Sequence, residues 1–145
     1  DELLRIFLKV VSQRPDIVFR LFIGDLDNQQ ELAARILSNN LEGSGSLEFE
    51  IPLLEMPSKL SQCDILVSHF NFHGVWPHNC SIKHLEYMAL SRPVVATKVG
   101  EVNFAIRNGH NGLLVEEGDL DDIDIDEVRY FFIQYFFARE MNFIF

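Results

Sequence analysis

Short apolar segments that alternate with helical segments constrain the fold of this chain more than any other feature. The segments 64–68 (DILVS) and 93–97 (PVVAT) lack the apolar–polar alternation of a strand with one wet face. Such sequences are typical of strands buried on both faces, which occur where helices cover both faces of a parallel sheet. Because helical patterns separate the strands, the predicted fold class is α/β, with a three-layer, doubly wound and mostly parallel sheet.

The predicted elements define one main domain followed by a tail. Helices are predicted at 2–12, 28–37, 57–62, 81–90 and 101–108, and strands at 17–23, 47–51, 64–68, 93–97 and 113–115. Gly109 is predicted to cap the helix that ends at residue 108, and Gly109 and Gly112 are predicted to serve turns rather than a ligand. Residues 1–120 are therefore expected to form a partial α/β domain. Residues 121–145 form an acidic and then aromatic segment that is predicted to be helical.

Composition excludes several classes of protein. The 145 residues suffice for one domain with a core, and no apolar run reaches the roughly 18 residues of a membrane span. The formal net charge of −10 argues against a nucleic-acid partner, because phosphate backbones are bound by clustered lysine and arginine. The two cysteines form no disulfide pattern, so a reducing, cytoplasmic location is expected.

Five segments, taken in order, resemble one known family. They are CDILVS at 63–68, HLEYMA at 84–89, RPVVAT at 92–97, VG at 99–100 and NGHNGLLV at 108–115. In this order and spacing they resemble the donor-binding domain of the group 1 retaining glycosyltransferases, which have the GT-B fold. The resemblance covers residues 2 to about 119. It implies a Rossmann-like domain that binds a nucleoside-diphosphate sugar, for transfer of the glycosyl group to a hydroxyl acceptor with retention.

The resemblance also implies which residues bind the donor. Glu86 matches the glutamate that accepts hydrogen bonds from the ribose hydroxyls. Ser81, Ile82 and Lys83 open the same helix, whose N-terminus is suited to a diphosphate. The remaining candidates are His78, which with Lys83 would stabilise the diphosphate, and Gly100 and Glu101, which lie near the sugar. No other cofactor is expected.

Each of these residues also has a plainer interpretation. Glu86 can pair with Lys83 on a solvated helix face, since the two are three residues apart. Ser81 can serve only as the N-cap, and Lys83 can be a solvated side chain. Gly100 fits any turn from a strand into a helix.

The sequence departs from the family pattern in several places. His78 stands where the family commonly has a first glutamate, Phe104 where a glutamate follows the glycine turn, and Ser91 where glycine precedes the Arg–Pro pair. The family's first strand and its basic pair have no counterpart, nor does the acceptor-binding N-terminal domain. The chain is therefore expected to be a fragment that lacks its central strand and needs the acceptor domain or a partner chain. Peripheral membrane association would belong to the full enzyme.

Two other functions are open. A non-catalytic domain that binds a nucleotide sugar or a partner would explain the aromatic tail and the missing acceptor half. Zinc binding would use the histidines and cysteine clustered within sixteen positions, namely His69, His73, His78, Cys80 and His84. Their spacing matches no zinc pattern, so no metal is expected.

Overall fold

The computed structural model describes residues 2–23, 45–68 and 81–116, together with positions 34, 38, 43 and 130. The predicted helix at 28–37 and the tail at 121–145 lie outside these residues, apart from single positions within them. The chain divides into two compact units, 1–59 and 60–145. Within the described residues, no helix has the length and apolar character needed to cross a bilayer.

The first unit contains a two-stranded parallel sheet. Helix α1 spans Glu2–Gln13, and strands β1 (Phe19–Ile23) and β2 (Gly45–Phe49) pair in parallel. Helix α2, Met56–Leu60, runs to the start of the second unit. The prediction placed β2 two residues too late, because Glu50 has a positive φ of 48° and ends the extended segment. All five β2 residues are half-buried.

The second unit contains a three-stranded parallel sheet in the order β3–β4–β5. Its elements are β3 (Leu66–Ser68), α3 (Ile82–Ala89), β4 (Val94–Thr97), α4 (Val102–Ala105) and β5 (Gly112–Val115). All four residues of β4 are buried, as its unbroken apolar sequence predicts. The core cluster consists of Val94, Ala96, Val102, Ala105 and Ile106. Parallel strands alternating with helices confirm the predicted α/β class.

Helix α3 ends in a Schellman motif that directs the chain into β4. The Ser91 N–H donates to the Met88 carbonyl (2.9 Å) and the Arg92 N–H to the Tyr87 carbonyl (3.5 Å). Ser91 has φ +52°, the left-handed conformation that this position requires. Glycine is the usual residue there because it lacks a Cβ, which explains why the family pattern has glycine at this point.

Two asparagine side chains close the turn between α4 and β5. Asn111 Oδ1 accepts from the Arg107 N–H (2.6 Å), and its Nδ2 donates to the Ala105 carbonyl (3.1 Å). Asn108 Oδ1 accepts from the Leu114 N–H (2.9 Å). Helix α4 therefore stops at Ala105, and the prediction that it continues to residue 108 is wrong.

The two glycines of this turn have different roles. The prediction that Gly109 caps α4 is also wrong, because Ile106 occupies the C-cap position; Gly109 instead supplies a φ of +74° within the turn. Gly112 opens β5, where an added Cβ would lie 2.7 Å from Ile106 Cγ2 and 2.8 Å from the Val94 carbonyl oxygen. Gly112 thus allows β5 to pack closely against β4 and Ile106.

The close approach at Gly112 predicts that Gly112→Ala is strongly destabilising. A Cβ there would push on a backbone carbonyl that cannot move without disturbing the sheet, at a cost of about 1–3 kcal/mol or more in the free energy of unfolding. Gly43→Ala is the control, since a Cβ at Gly43 would meet nothing within 4 Å. Urea-induced unfolding of the three proteins measures the difference. Equal stability of the two variants would contradict the packing role of Gly112.

The left-handed Ser91 predicts that Ser91→Gly is stabilising. A residue with a Cβ in this conformation loses about 1–2 kcal/mol, and the greater freedom of glycine in the unfolded chain offsets part of the gain. We expect a net gain of up to about 1 kcal/mol in the free energy of unfolding, and a loss for the β-branched Ser91→Val. Thermal and urea unfolding test this order. A Ser91→Gly protein less stable than the parent would show that the serine side chain contributes more than the strain costs.

Candidate functional site

The candidate site lies along one edge of the three-stranded sheet. Strands β3, β4 and β5 run parallel and end at Ser68, Thr97 and Val115, so their carboxyl ends share this edge. In open α/β sheets, ligands bind beyond the carboxyl ends of the strands. We call this region the carboxyl edge.

A buried hydrogen bond fixes the start of α3 at the carboxyl edge. His84 Nε2 lies 3.0 Å from Ser68 Oγ, and the two residues are only 2% and 4% exposed. The bond joins the first turn of α3 to the last residue of β3. Burial lowers the pKa of His84, and the charge of Lys83 lowers it further, so the imidazole is neutral near pH 7.

The first turn of α3 presents backbone donors to the edge. Ser81 occupies the N-cap position with extended backbone angles, and its hydroxyl makes no capping hydrogen bond. Its carbonyl accepts from the His84 N–H at 3.0 Å. The first N–H groups of an α-helix have no acceptor within the helix, and in α3 these include the N–H groups of Ile82 and Lys83.

The side chains predicted to contact the donor are exposed on α3. Lys83 and Glu86 are both exposed and lie one turn apart. Ile82 is 69% exposed, whereas Tyr87 and Met88, further along the helix, pack against the core cluster. Along α3, Lys83 and Glu86 thus face solvent, while His84, Tyr87 and Met88 hold the helix to the sheet and the core cluster.

The turn from β4 into α4 brings further predicted residues to the same edge. Gly100 has φ +58° and is half-buried, and the exposed Glu101 occupies the N-cap position of α4. Phe104, at the position of the family's glutamate, is 85% exposed. This part of the edge therefore offers the Glu101 carboxylate but an aromatic ring at residue 104.

An ion pair that the sequence analysis did not single out lies beside this turn. Lys98 Nζ is 2.5 Å from Glu116 Oε1, and the two side chains are 45% and 61% exposed. Lys98 follows the last residue of β4 and Glu116 the last residue of β5. Only the alignment of β4 with β5 brings residues eighteen positions apart together, so no local sequence pattern identifies the pair.

The other predicted ligands belong to the segment between β3 and α3. His78 lies outside the described residues, as do His69, His73 and Cys80 of the zinc hypothesis. Among the described residues, no group of three or more histidine, cysteine or acidic side chains could hold a metal ion. Within that part of the chain, His84 is engaged with Ser68 rather than with a metal-binding cluster.

Comparison with known proteins identifies relatives of the chain. The sequence model of the family described as glycosyl transferases group 1 matches residues 1–126. An uncharacterized glycosyltransferase of Methanocaldococcus jannaschii is 32% identical over 111 residues, covering 74% of this chain and 29% of that protein.

Solved structures share the fold. The C-terminal domain of the group 1 family glycosyl transferase LpcC of Francisella tularensis superposes with a TM-score of 0.66 at 27% identity, covering 89% of this chain and 66% of that one. HepE of Anabaena in complex with UDP-glucose gives a TM-score of 0.61 at 21% identity, covering 90% and 38%. The chain thus spans about a third of the length of the archaeal relative and of HepE.

The buried His84 predicts a decline in stability at acidic pH. Its pKa in the folded state is below the ordinary 6.5, so this contribution is complete above pH 6.5, where both states hold the ring neutral. As the pH falls below 6.5 the unfolded chain takes up the proton first, and the free energy of unfolding decreases until the pH reaches the folded-state pKa. His84→Gln should remove this part of the pH dependence.

Urea unfolding between pH 8 and pH 5 measures the effect. His110→Gln is the matched control, because it removes an exposed histidine from the same unit. If the His84→Gln protein loses stability with falling pH as steeply as the parent does, the ring is not held neutral by the fold.

Proposed function

The chain belongs to the group 1 glycosyl transferases, and from this membership we propose that its carboxyl edge binds the nucleoside-diphosphate sugar donor of a retaining glycosyltransferase. The observation that carries the proposal is the placement of α3. His84 holds the helix start at the carboxyl end of β3, and the helix carries Lys83 and Glu86, two of the residues that the family resemblance assigns to the donor.

The diphosphate is proposed to bind at the N-terminus of α3. The N–H groups of Ile82 and Lys83 belong to the first turn of α3, where an α-helix offers them no acceptor of its own, and the helix dipole places roughly half a positive charge there. The Ser81 hydroxyl, which makes no capping bond, can donate to a phosphate oxygen. The exposed Lys83 ammonium lies in the same turn. Together these groups would stabilise the charge that grows on the leaving diphosphate.

Glu86 is proposed to hold the ribose of the nucleotide. Its carboxylate offers two acceptor oxygens and no donor, which suits a pair of vicinal hydroxyl groups. It is exposed one turn beyond Lys83, so a nucleotide whose phosphates lie at the helix start would extend its ribose along α3. The charge of Glu86 also contributes to raising the pKa of Tyr87, after the larger effect of burial.

The transferred sugar is proposed to lie toward the turn at Gly100 and Glu101. This turn leaves the carboxyl end of β4, the central strand, and the Glu101 carboxylate can accept from sugar hydroxyls. His78 is proposed as a further diphosphate contact. The structures of HepE with UDP-glucose and with UDP support a nucleotide-sugar ligand for this fold.

Transfer to an acceptor hydroxyl needs more than the described edge. The chain spans 29% of its archaeal relative, and we propose that the acceptor site lies in an N-terminal domain or partner chain. A non-catalytic nucleotide-sugar-binding domain is the second candidate, favoured by the exposed aromatic Phe104 where the family has a glutamate. Binding of the donor without transfer, even when the acceptor half is supplied, would identify the second candidate. The cytoplasmic setting stays a prediction.

The ribose role predicts that Glu86→Gln weakens nucleotide binding at least tenfold, because a hydrogen bond to a charged group contributes about 1.5–3 kcal/mol. Calorimetric titration with UDP, GDP and their sugar conjugates measures the affinity. Asp64→Asn is the matched control, since it removes an exposed carboxylate just before β3, toward the amino end of the sheet.

A 2′-deoxy analogue of the nucleotide separates the ribose contact from a simple pair with Lys83. If Glu86 accepts from the 2′-hydroxyl, the analogue binds the parent protein more weakly than the ribonucleotide does, and this difference shrinks in Glu86→Gln. Equal affinity of the parent and Glu86→Gln for every nucleotide would refute the ribose role.

A further inference from the structure

The strongest feature beyond the expected donor residues is the ion pair between Lys98 and Glu116. The Lys98 N–H donates to the Val115 carbonyl at 2.7 Å, so the β4–β5 pairing extends by one hydrogen bond past the end of β4. The two side chains therefore leave the sheet at neighbouring positions of the carboxyl edge. Nothing in the family motifs assigns either residue to the donor.

The ion pair between Lys98 and Glu116 is weak enough for another anion to replace Glu116. With side chains 45% and 61% exposed, the pair is solvated, and exposed ion pairs contribute only about 0–1 kcal/mol to stability. A diphosphate carries more negative charge than one carboxylate and offers more acceptor oxygens, so it can replace Glu116 as the partner of Lys98. Breaking the pair would then cost little, and Lys98 would gain a stronger partner.

The position of the pair points to the phosphates rather than to the nucleoside. Lys98 follows the central strand and comes two residues before the Gly100 turn, where the sugar is proposed to lie. Strand β4 pairs with β3, whose last residue anchors the start of α3 through His84. A diphosphate that bridges the helix start and the Gly100 turn would pass the end of β4.

We propose that Lys98 is a phosphate-binding residue of the donor site and that Glu116 is an internal competitor that occupies Lys98 when no nucleotide is bound. The proposal rests on the proposed function, because it deepens the description of the same site. Glu116 sets the affinity of the edge for the diphosphate: nucleotide binding includes the exchange of a carboxylate for a phosphate at Lys98. The competition lowers the affinity for donor and for the released nucleoside diphosphate alike.

The proposal predicts opposite effects for the two partners. Glu116→Gln should tighten UDP binding by about twofold to fivefold, which is the range given by the strength of an exposed ion pair. Lys98→Gln should weaken it by roughly tenfold, the loss expected when a charge-assisted hydrogen bond is removed. The double variant should behave like Lys98→Gln, since Glu116 acts only through the lysine. Uridine, which has no phosphate, should bind all four proteins equally.

Calorimetric titration of the purified chain with UDP and with uridine tests these values, and thermal unfolding shows that each variant is folded. Asp16→Asn is the control for a general change in charge: it removes a carboxylate that pairs with Arg14 in the segment before β1. If Glu116→Gln and Asp16→Asn tighten UDP equally, the effect is nonspecific and the proposal falls.

The outcomes distinguish failure of the roles of Lys98 and Glu116 from failure of the proposed donor site. A parent chain that binds UDP, with Glu116→Gln binding it no more tightly, overturns the competitor role and leaves the donor site standing. If Lys98→Gln binds UDP as tightly as the parent does, Lys98 does not contact the phosphates, and the donor site again stands. If neither the parent nor any variant binds any nucleotide, the proposed function fails and this inference fails with it.

Discussion

The complete burial of β4 is the constraint on which the second unit depends. A strand buried at all four positions must have both neighbours hydrogen-bonded to it and both faces covered, since an unpaired buried backbone group is costly. The parallel strands β3 and β5 supply the pairing. Because parallel strands need crossover connections, helices must return the chain from one end of the sheet to the other. The carboxyl edge follows from this arrangement, with three strand ends and the starts of two helices on the same side.

Helix α3 is held to the sheet by two kinds of contact, and the two together set the position of its candidate site residues. Tyr87 and Met88 pack against the apolar core, whereas the first turn is held by the hydrogen bond between His84 and Ser68. Burying a polar side chain costs free energy unless the side chain is hydrogen-bonded. A shift of the helix start that breaks the bond between His84 and Ser68 would therefore be unfavourable. A directional contact therefore sets the position of the first-turn N–H groups, with Lys83 and Glu86 exposed beside it.

How far the sequence predicted the structure depends on the range of the interactions involved. The prediction is correct to within two residues at each end for the strands at 64–68 and 93–97 and for the helix at 81–90. Burial and helical period show in the pattern of neighbouring residues, so a short stretch of sequence is enough to predict them. The error at β2 arises from the backbone angle of Glu50, and the error at α4 from the side-chain hydrogen bonds of Asn111. Neither feature changes the spacing of apolar residues from which the elements are predicted. The pairs His84–Ser68 and Lys98–Glu116 join residues 16 and 18 positions apart. Such pairs follow from strand order, which a single sequence does not contain.

The family signature itself contains two kinds of residue, and they carry different information. One kind shapes turns and close contacts, and its members are Ser91, Gly109, Asn111 and Gly112. Whether such a residue matches the family pattern, or departs from it with strain as Ser91 does, concerns the fold. Ser81, Lys83 and Glu86 are exposed or half-buried at the carboxyl edge, where no packing requirement explains them. A match in the first group can persist in a chain that has lost its chemistry, because a fold alone does not determine function. The proposed donor site therefore depends on the second group and on the charges that a diphosphate would meet at the start of α3 and the end of β4.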